Sequence, residues 1–212
     1  MKLYIYEHCP FCTRARMIFG LKKLPVELAV IMEGDTDTPT RLVGRKVVPI
    51  LQKEDGSHMA ESLDIVQYVE SLGAPVLTAK PDAALDAWGQ AAWKPALGLI
   101  IPRFTQGDFA ELATPEAREA YRLREEKAFG DLDALLQRTP ELLAQINPLM
   151  AQLATLLDGR SEETGLSDIL LWPLLRCLSI VGGLDFPAPV LAYARRLEQQ
   201  SGVPLLFDQQ IH

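Results

Sequence analysis

Leu3 and Ile5 alternate with Tyr4 and Tyr6 at the start of the chain, a period of two that suits a strand over residues 2–6. From Pro10 the period changes. Phe11, Ala15, Ile18 and Phe19 recur at helical spacing, with Arg14, Lys22 and Lys23 at polar positions. A proline at the first helical position and lysines in the last turn fit the polarity of a helix, and Pro25 stops it. Residues 26–31 form a second apolar and β-branched run, and Thr36 to Gly44 reads as a short helix. Val47-Val48-Pro49-Ile50-Leu51 is a third strand, and Asp55-Gly56 turns into a short fourth one. Leu63, Ile65, Val66 and Val69 then give an amphipathic helix over about 61–72. The predicted order is βαβ, then α, ββ, α.

The pattern shifts after residue 72. Gly73, Ala74, Pro75, Thr78, Lys80 and Pro81 crowd one short stretch, and beyond it no strand-like alternation survives. Residues 83–101, 115–138, 140–158, 166–181 and 187–200 all read as helices rich in Ala and Leu. Pro95 is expected to kink or split the first of them, and Trp88, Trp93 and Trp172 to pack in the helical core. The expectation is an α/β domain over 1–72, a linker over 73–82 and an all-α domain over 83–212.

Composition narrows the function classes. The chain has 212 residues, 48% of them hydrophobic, and a formal net charge of -7. Residues 1–75 hold nine Lys/Arg against ten Asp/Glu, a net of -1, which leaves -6 for the remainder. No basic stripe suits a nucleic acid. The N-terminal apolar run is too short for a signal-peptide core, and later ones break before membrane-spanning length. The expected setting is the cytoplasm, with neither nucleic acid nor membrane as partner. Three cysteines in a reducing compartment are not a disulfide scaffold.

Two of those cysteines carry the chemistry. Cys9 falls between the end of the first strand and a helix that opens at Pro10, which puts it at the N-cap. Unpaired amides there present about half a positive charge, a field that stabilises a thiolate. Cys12 lies one turn on, where it can resolve a mixed disulfide formed at Cys9. The same pair could be half of a zinc site. However, only Cys177, His8, His58 and His212 remain as Cys or His ligands, none at paired spacing, so no metal is expected. Haem attachment needs His after Cys12, and residue 13 is Thr. A Cys-x-x-Cys that closes a strand and opens a helix within a βαβ unit reads as redox chemistry.

Cys9-Pro10-Phe11-Cys12 resembles the glutaredoxin active site, whose usual form is Cys-Pro-Tyr-Cys. With a helical second half, the whole chain is similar to the two-domain bacterial glutaredoxin 2 family, built like a glutathione transferase. The resemblance implies a thioredoxin-like α/β domain joined to a helical one, and glutathione as co-substrate. It also implies that the Val48–Pro49 bond is cis and faces the cysteines, although by residue chemistry alone Pro49 is an ordinary edge-strand proline. Glu61-Ser62 looks like the pair with which transferases hold the γ-glutamyl group; taken alone it reads first as a plain acidic first turn. Pro10, Phe11, Val48, Pro49, Glu61 and Ser62 are the glutathione-binding residues so implied, with Lys46 or a nearby Arg at the glycyl carboxylate. One position departs from the pattern. Transferase-like folds place Ser or Thr three residues before the Asp of a buried capping box, and here Gly165 precedes Asp168. Cys177 sits in an apolar helical run and reads as an inert core thiol.

The function implied is reduction of protein–glutathione mixed disulfides and disulfides, with Cys9 as nucleophile and Cys12 as resolving thiol, in a monomer. The alternative is a transferase that conjugates electrophiles. Such enzymes activate the glutathione thiol with a Tyr or Ser hydroxyl, whereas a cysteine in that place would form a disulfide with it. A non-catalytic docking module would not need the intact cysteine pair, and the glutathione-site residues argue against reduction by a flavoprotein.

Overall fold

The computed structural model describes residues 1–212. Four short strands, β1 (Lys2–Ile5), β2 (Glu27–Val30), β3 (Ile50–Gln52) and β4 (His58–Ala60), form one sheet in the order β2-β1-β3-β4. β1 pairs with β2 in parallel, Leu3 opposite Leu28, and with β3 antiparallel, Leu3 opposite Leu51. The parallel pair needs a crossover, and α1 (Pro10–Leu21) supplies it. Leu3, Ile5, Ile50 and Leu51 are buried, whereas Leu28 and Val30 on edge strand β2 are exposed. Between the second and third strands lies α2 (Asp37–Val43), ended by Gly44 in a left-handed conformation, and α3 (Ser62–Glu70) follows the sheet.

From Ala83 the chain is helical. The helices are α4 (Ala83–Phe104), α5 (Pro115–Phe129), α6 (Leu132–Gln137), α7 (Thr139–Leu157), α8 (Leu166–Leu178) and α9 (Ala188–Ser201). No strand element follows Ala60; only isolated bridges join Ala79 to Gly165 and Val181 to Ile211. α1 packs against α3 on one side and against α8 and α9 on the other. Gly20 is at that crossing, where a Cβ would come within 1.7 Å of the Ser201 carbonyl oxygen. One apolar cluster runs from Leu3 and Ile5 through Trp88 and Leu99 to Trp172 and Leu206. The sheet and the helices share a core.

Several local expectations need correction. Pro95 does not split its helix: α4 is continuous over 22 residues and holds Pro102 as well. A proline there removes one backbone bond, but Ala92, Ala96 and Leu99 are fully buried, so packing on α7 and α8 holds the helix. The helix expected over 115–138 breaks at Gly130, whose φ of 74° ends α5, and Asp131 then caps α6 by accepting from the Asp133 and Ala134 amides. The third strand begins at Ile50 rather than 47, after an irregular segment. Lys22 and Lys23 fall just beyond the last turn of α1, and Lys22 Nζ instead donates to the carbonyls of Glu70 and Ala74. Trp88 and Trp172 are core residues, as expected, but Trp93 is only half-buried.

The glycine at 165 has a steric reason. A Cβ there would lie 2.7 Å from the Ala79 carbonyl oxygen, so the linker passes too close for Ser or Thr. Asp168 still accepts from the Gly165 amide at 2.7 Å, and its carboxylate is also held by Arg160 at 2.8 Å and the Tyr193 hydroxyl at 2.7 Å. A fully buried carboxylate thus has its hydrogen bonds satisfied without the missing hydroxyl.

Candidate active site

β1 ends at Ile5, and the segment Tyr6–His8 delivers Cys9 to the N-cap of α1 with extended backbone, φ -70° and ψ 122°. Cys9 Sγ accepts from the Cys12 amide at 3.4 Å, so the open end of the helix is aimed at the sulfur. A hydrogen bond from the Cys12 thiol, then the charge of His8 and the amides of Cys12 and Phe11, outweigh burial and lower the Cys9 pKa to about 7. Cys12 is fully buried and accepts from the Tyr6 amide at 3.4 Å. Burial first, then the neighbouring Cys9, pushes its thiol well above the ordinary range. Both cysteines are free. One site therefore holds a reachable thiolate beside a protonated, covered thiol. Cys177 is fully buried, and burial raises its pKa to about 12.

Cys9 opens into a cleft of about 480 Å³ between the sheet and the helices. One wall carries Cys9, Pro10, Phe11, Lys46, Val47 and Val48, and α4 faces them with Trp93, Leu97, Ile100, Ile101 and Phe104. The Val48–Pro49 bond is cis. Neither the amide nor the carbonyl of Val48 bonds to another group of the protein, which leaves a backbone edge free to pair with an extended peptide. Phe11 is exposed, with its ring centroid 6.0 Å from that of Trp93 and 4.8 Å from the Arg14 guanidinium.

The other expected binding residues are placed less directly. Pro49, Glu61 and Ser62 do not line this cleft. Ser62 opens α3 and is buried, while Glu61 before it is exposed, pairs with Arg45 at 2.6 Å and has a φ of 72°. A left-handed conformation at a residue with a Cβ costs about 1–3 kcal/mol and is found where a site demands it. Lys46 lies in the cleft with Nζ 3.2 Å from buried Glu33. Sequence reasoning missed Tyr6, Arg124, Glu125 and Phe129, which also line the cleft, and it placed Trp93 in the core. Arg124, Glu125 and Phe129 reach the site from the helical half, which no local spacing marks, and Tyr6 read only as a strand residue. No group of three or more His, Cys, Asp or Glu side chains converges as a metal would require.

Known proteins resemble this chain over its whole length. A family model described as "Glutaredoxin 2, C terminal domain" matches residues 84–210, and one described as "Glutathione S-transferase, N-terminal domain" matches residues 3–76. Glutaredoxin 2 of Escherichia coli strain K12 is 42% identical over 215 residues, covering all of both chains. The chain belongs to the glutaredoxin 2 family. Its function is that of a glutaredoxin. The solved structure of Glutaredoxin 2 from Salmonella typhimurium in complex with glutathione superposes with a TM-score of 0.96 at 41% identity, covering 99% of this chain and 98% of that one. A glutathione transferase from Phanerochaete chrysosporium superposes with a TM-score of 0.73 at 16% identity, over 94% of this chain and 96% of that one, a likeness of fold alone.

Proposed function

We propose that the chain reduces mixed disulfides between proteins and glutathione, and protein disulfides, with glutathione as co-substrate. The observation that carries this is the unequal pair: a lowered Cys9 thiol at a helix N-terminus, and Cys12 buried and protonated behind it. The Cys9 thiolate attacks the glutathione sulfur of a mixed disulfide, and the protein sulfur leaves as a thiolate that takes a proton. The thiolate of a second glutathione attacks the sulfur now bonded to Cys9, forming glutathione disulfide and restoring the Cys9 thiolate. With a protein disulfide the first bond joins Cys9 to the protein. Cys12 then loses its proton, attacks Cys9 and frees the protein, and two glutathione molecules reduce the Cys9–Cys12 disulfide.

In this reading the cysteinyl backbone of glutathione pairs with the free edge of Val48, beside Pro49 and over Pro10 and Phe11. The α-carboxylate of its γ-glutamyl end meets the Ser62 hydroxyl and the N-terminus of α3, with Glu61 on the ammonium. The glutathione held by the Salmonella relative supports that choice of co-substrate. No helix is long and apolar enough to cross a membrane, and the reading includes a monomer at work in the cytoplasm. The test is turnover of a glutathionylated protein with glutathione as sole donor, followed as glutathione disulfide. A rate no higher than that of glutathione alone would refute the proposal.

A further inference from the structure

The two peptide groups before Cys9 are held from the helical half. Glu111, in a single turn of 3-10 helix at Ala110–Leu112, accepts the His8 amide at 2.9 Å and the His8 ring Nδ1 at 2.6 Å through one oxygen, Oε1. The Ala110 amide donates to Glu7 Oε2 at 2.8 Å, and the Arg176 guanidinium of α8 donates to the Glu7 carbonyl at 2.9 Å. Glu111 is fully buried, and its other oxygen, Oε2, has no partner. A buried carboxylate is costly unless something opposes its charge, yet this one stays ionised. Burial works to raise its pKa, but the hydrogen bond and charge of His8 lower it overall. An ionised carboxylate only accepts, so Nδ1 carries the shared hydrogen. Tyr6, Phe104, Phe109 and Tyr121 enclose the ring, with centroids 5.1–5.8 Å away. It has one orientation.

We propose that Glu111 is a positioning residue for Cys9: by holding the peptide and the ring of His8 it fixes what stands beside the nucleophile. The surrounding groups leave it that role. Arg16 of α1 and Arg176 of α8 feel its field, as do Tyr6 and Cys12. Cys177 of α8 meets the His8 carbonyl, while Glu33, Arg124 and Glu125 act on Tyr6 or Tyr121 beyond the ring. Of these groups only His8 is adjacent to Cys9 in the chain, and its charge lowers the Cys9 thiol. The sign of the effect is therefore diagnostic. If Glu111 acted on Cys9 directly, removing its negative charge would ease ionisation. Acting through His8, its loss must hinder ionisation.

The inference rests on Cys9 being the nucleophile. Alkylation of the full chain by iodoacetamide reads that thiolate without any disulfide substrate, so its failure is separable from failure of turnover. Cys12 and Cys177 are fully buried, and mass analysis confirms that Cys9 is the residue modified. In Glu111→Gln the midpoint of the pH profile should move up by about one unit, with the rate below it falling about tenfold. His8→Gln should do the same, and Glu111→Gln should add nothing in that background. Glu111→Asp, which keeps the charge, should restore part of the parent profile. A downward shift, no shift, or an equal further shift in the His8→Gln background would overturn the proposal. Should Glu111→Gln fail to fold, an unchanged profile in His8→Gln alone would overturn it.

Discussion

At the scale of single residues, Cys9 and Cys12 differ in what surrounds them and not in what they are. The parent should reduce both glutathione mixed disulfides and protein disulfides. Cys9→Ser should lose both activities, because an alcohol is not appreciably ionised at neutral pH. Cys12→Ser should keep most turnover of mixed disulfides and lose efficiency on protein disulfides, which need a resolving thiol. Assays of both variants on both substrates decide this, and equal loss in the two would sink the assignment. Stability carries a second signature. The folded Cys9 titrates near 7, below its unfolded value near 9. Between those limits the unfolded chain keeps a proton that the folded chain has released, so stability rises with pH and is lost again as pH falls through 7. The urea midpoint of the reduced parent, minus that of Cys9→Ser, should therefore grow from about pH 7 to about pH 9. These two residues were legible because their chemistry is local: a strand end, a proline and four positions of sequence. Val48 entered only through resemblance, and Glu111 had no signal, since nothing near it in the chain hints at a partner 103 positions earlier.

Elements followed the hydrophobic period wherever one face decided the structure, as in β1, α1, α3 and α7. The reading failed where a single residue overrode the pattern. Gly130 divides a run whose period would otherwise continue, and α4 keeps two prolines because its burial outweighs their lost bonds. Trp93 shows the limit of composition as a guide: an aromatic on an Ala-rich helix faces a cleft as readily as a core. The Gly165 start of α8 gives a test in which sequence and structure disagree. Capping rules favour Gly165→Ser by a few tenths of a kcal/mol. The approach of Ala79 predicts the opposite, a loss of about 1–3 kcal/mol from overpacking. Denaturant unfolding of that one variant separates the two accounts, and a gain in stability would show that the linker yields.

For the whole molecule, the two-part plan was readable from the change of period near the Pro75–Pro81 stretch, but the unity of the core was not. Apolar residues of the sheet, of α1 and of the helices form one cluster, and no sequence pattern states which faces meet. All three tryptophans lie in the helical half, at 88, 93 and 172, while both reactive cysteines lie in the sheet half. Tryptophan fluorescence and exposure of Cys12 to alkylation therefore report on the helical part and the sheet part of that cluster. Their urea transitions should coincide; a cysteine transition clearly earlier than the fluorescence change would mean that the halves unfold separately.

Because Glu111 and Arg176 are the groups that steady residues 7 and 8, the history of the nascent chain matters. Contacts 103 and 169 positions apart close late, since each spans a long stretch of chain. At a synthesis rate of about 5–20 residues per second, about 8 to 33 seconds pass between the emergence of Cys9 and that of Arg176. Throughout that interval the growing polypeptide carries a cysteine whose supporting loop lacks at least one of its two anchors. The helix that activates the nucleophile is thus made early, and the contacts that steady its approach are completed only when α8 has been made.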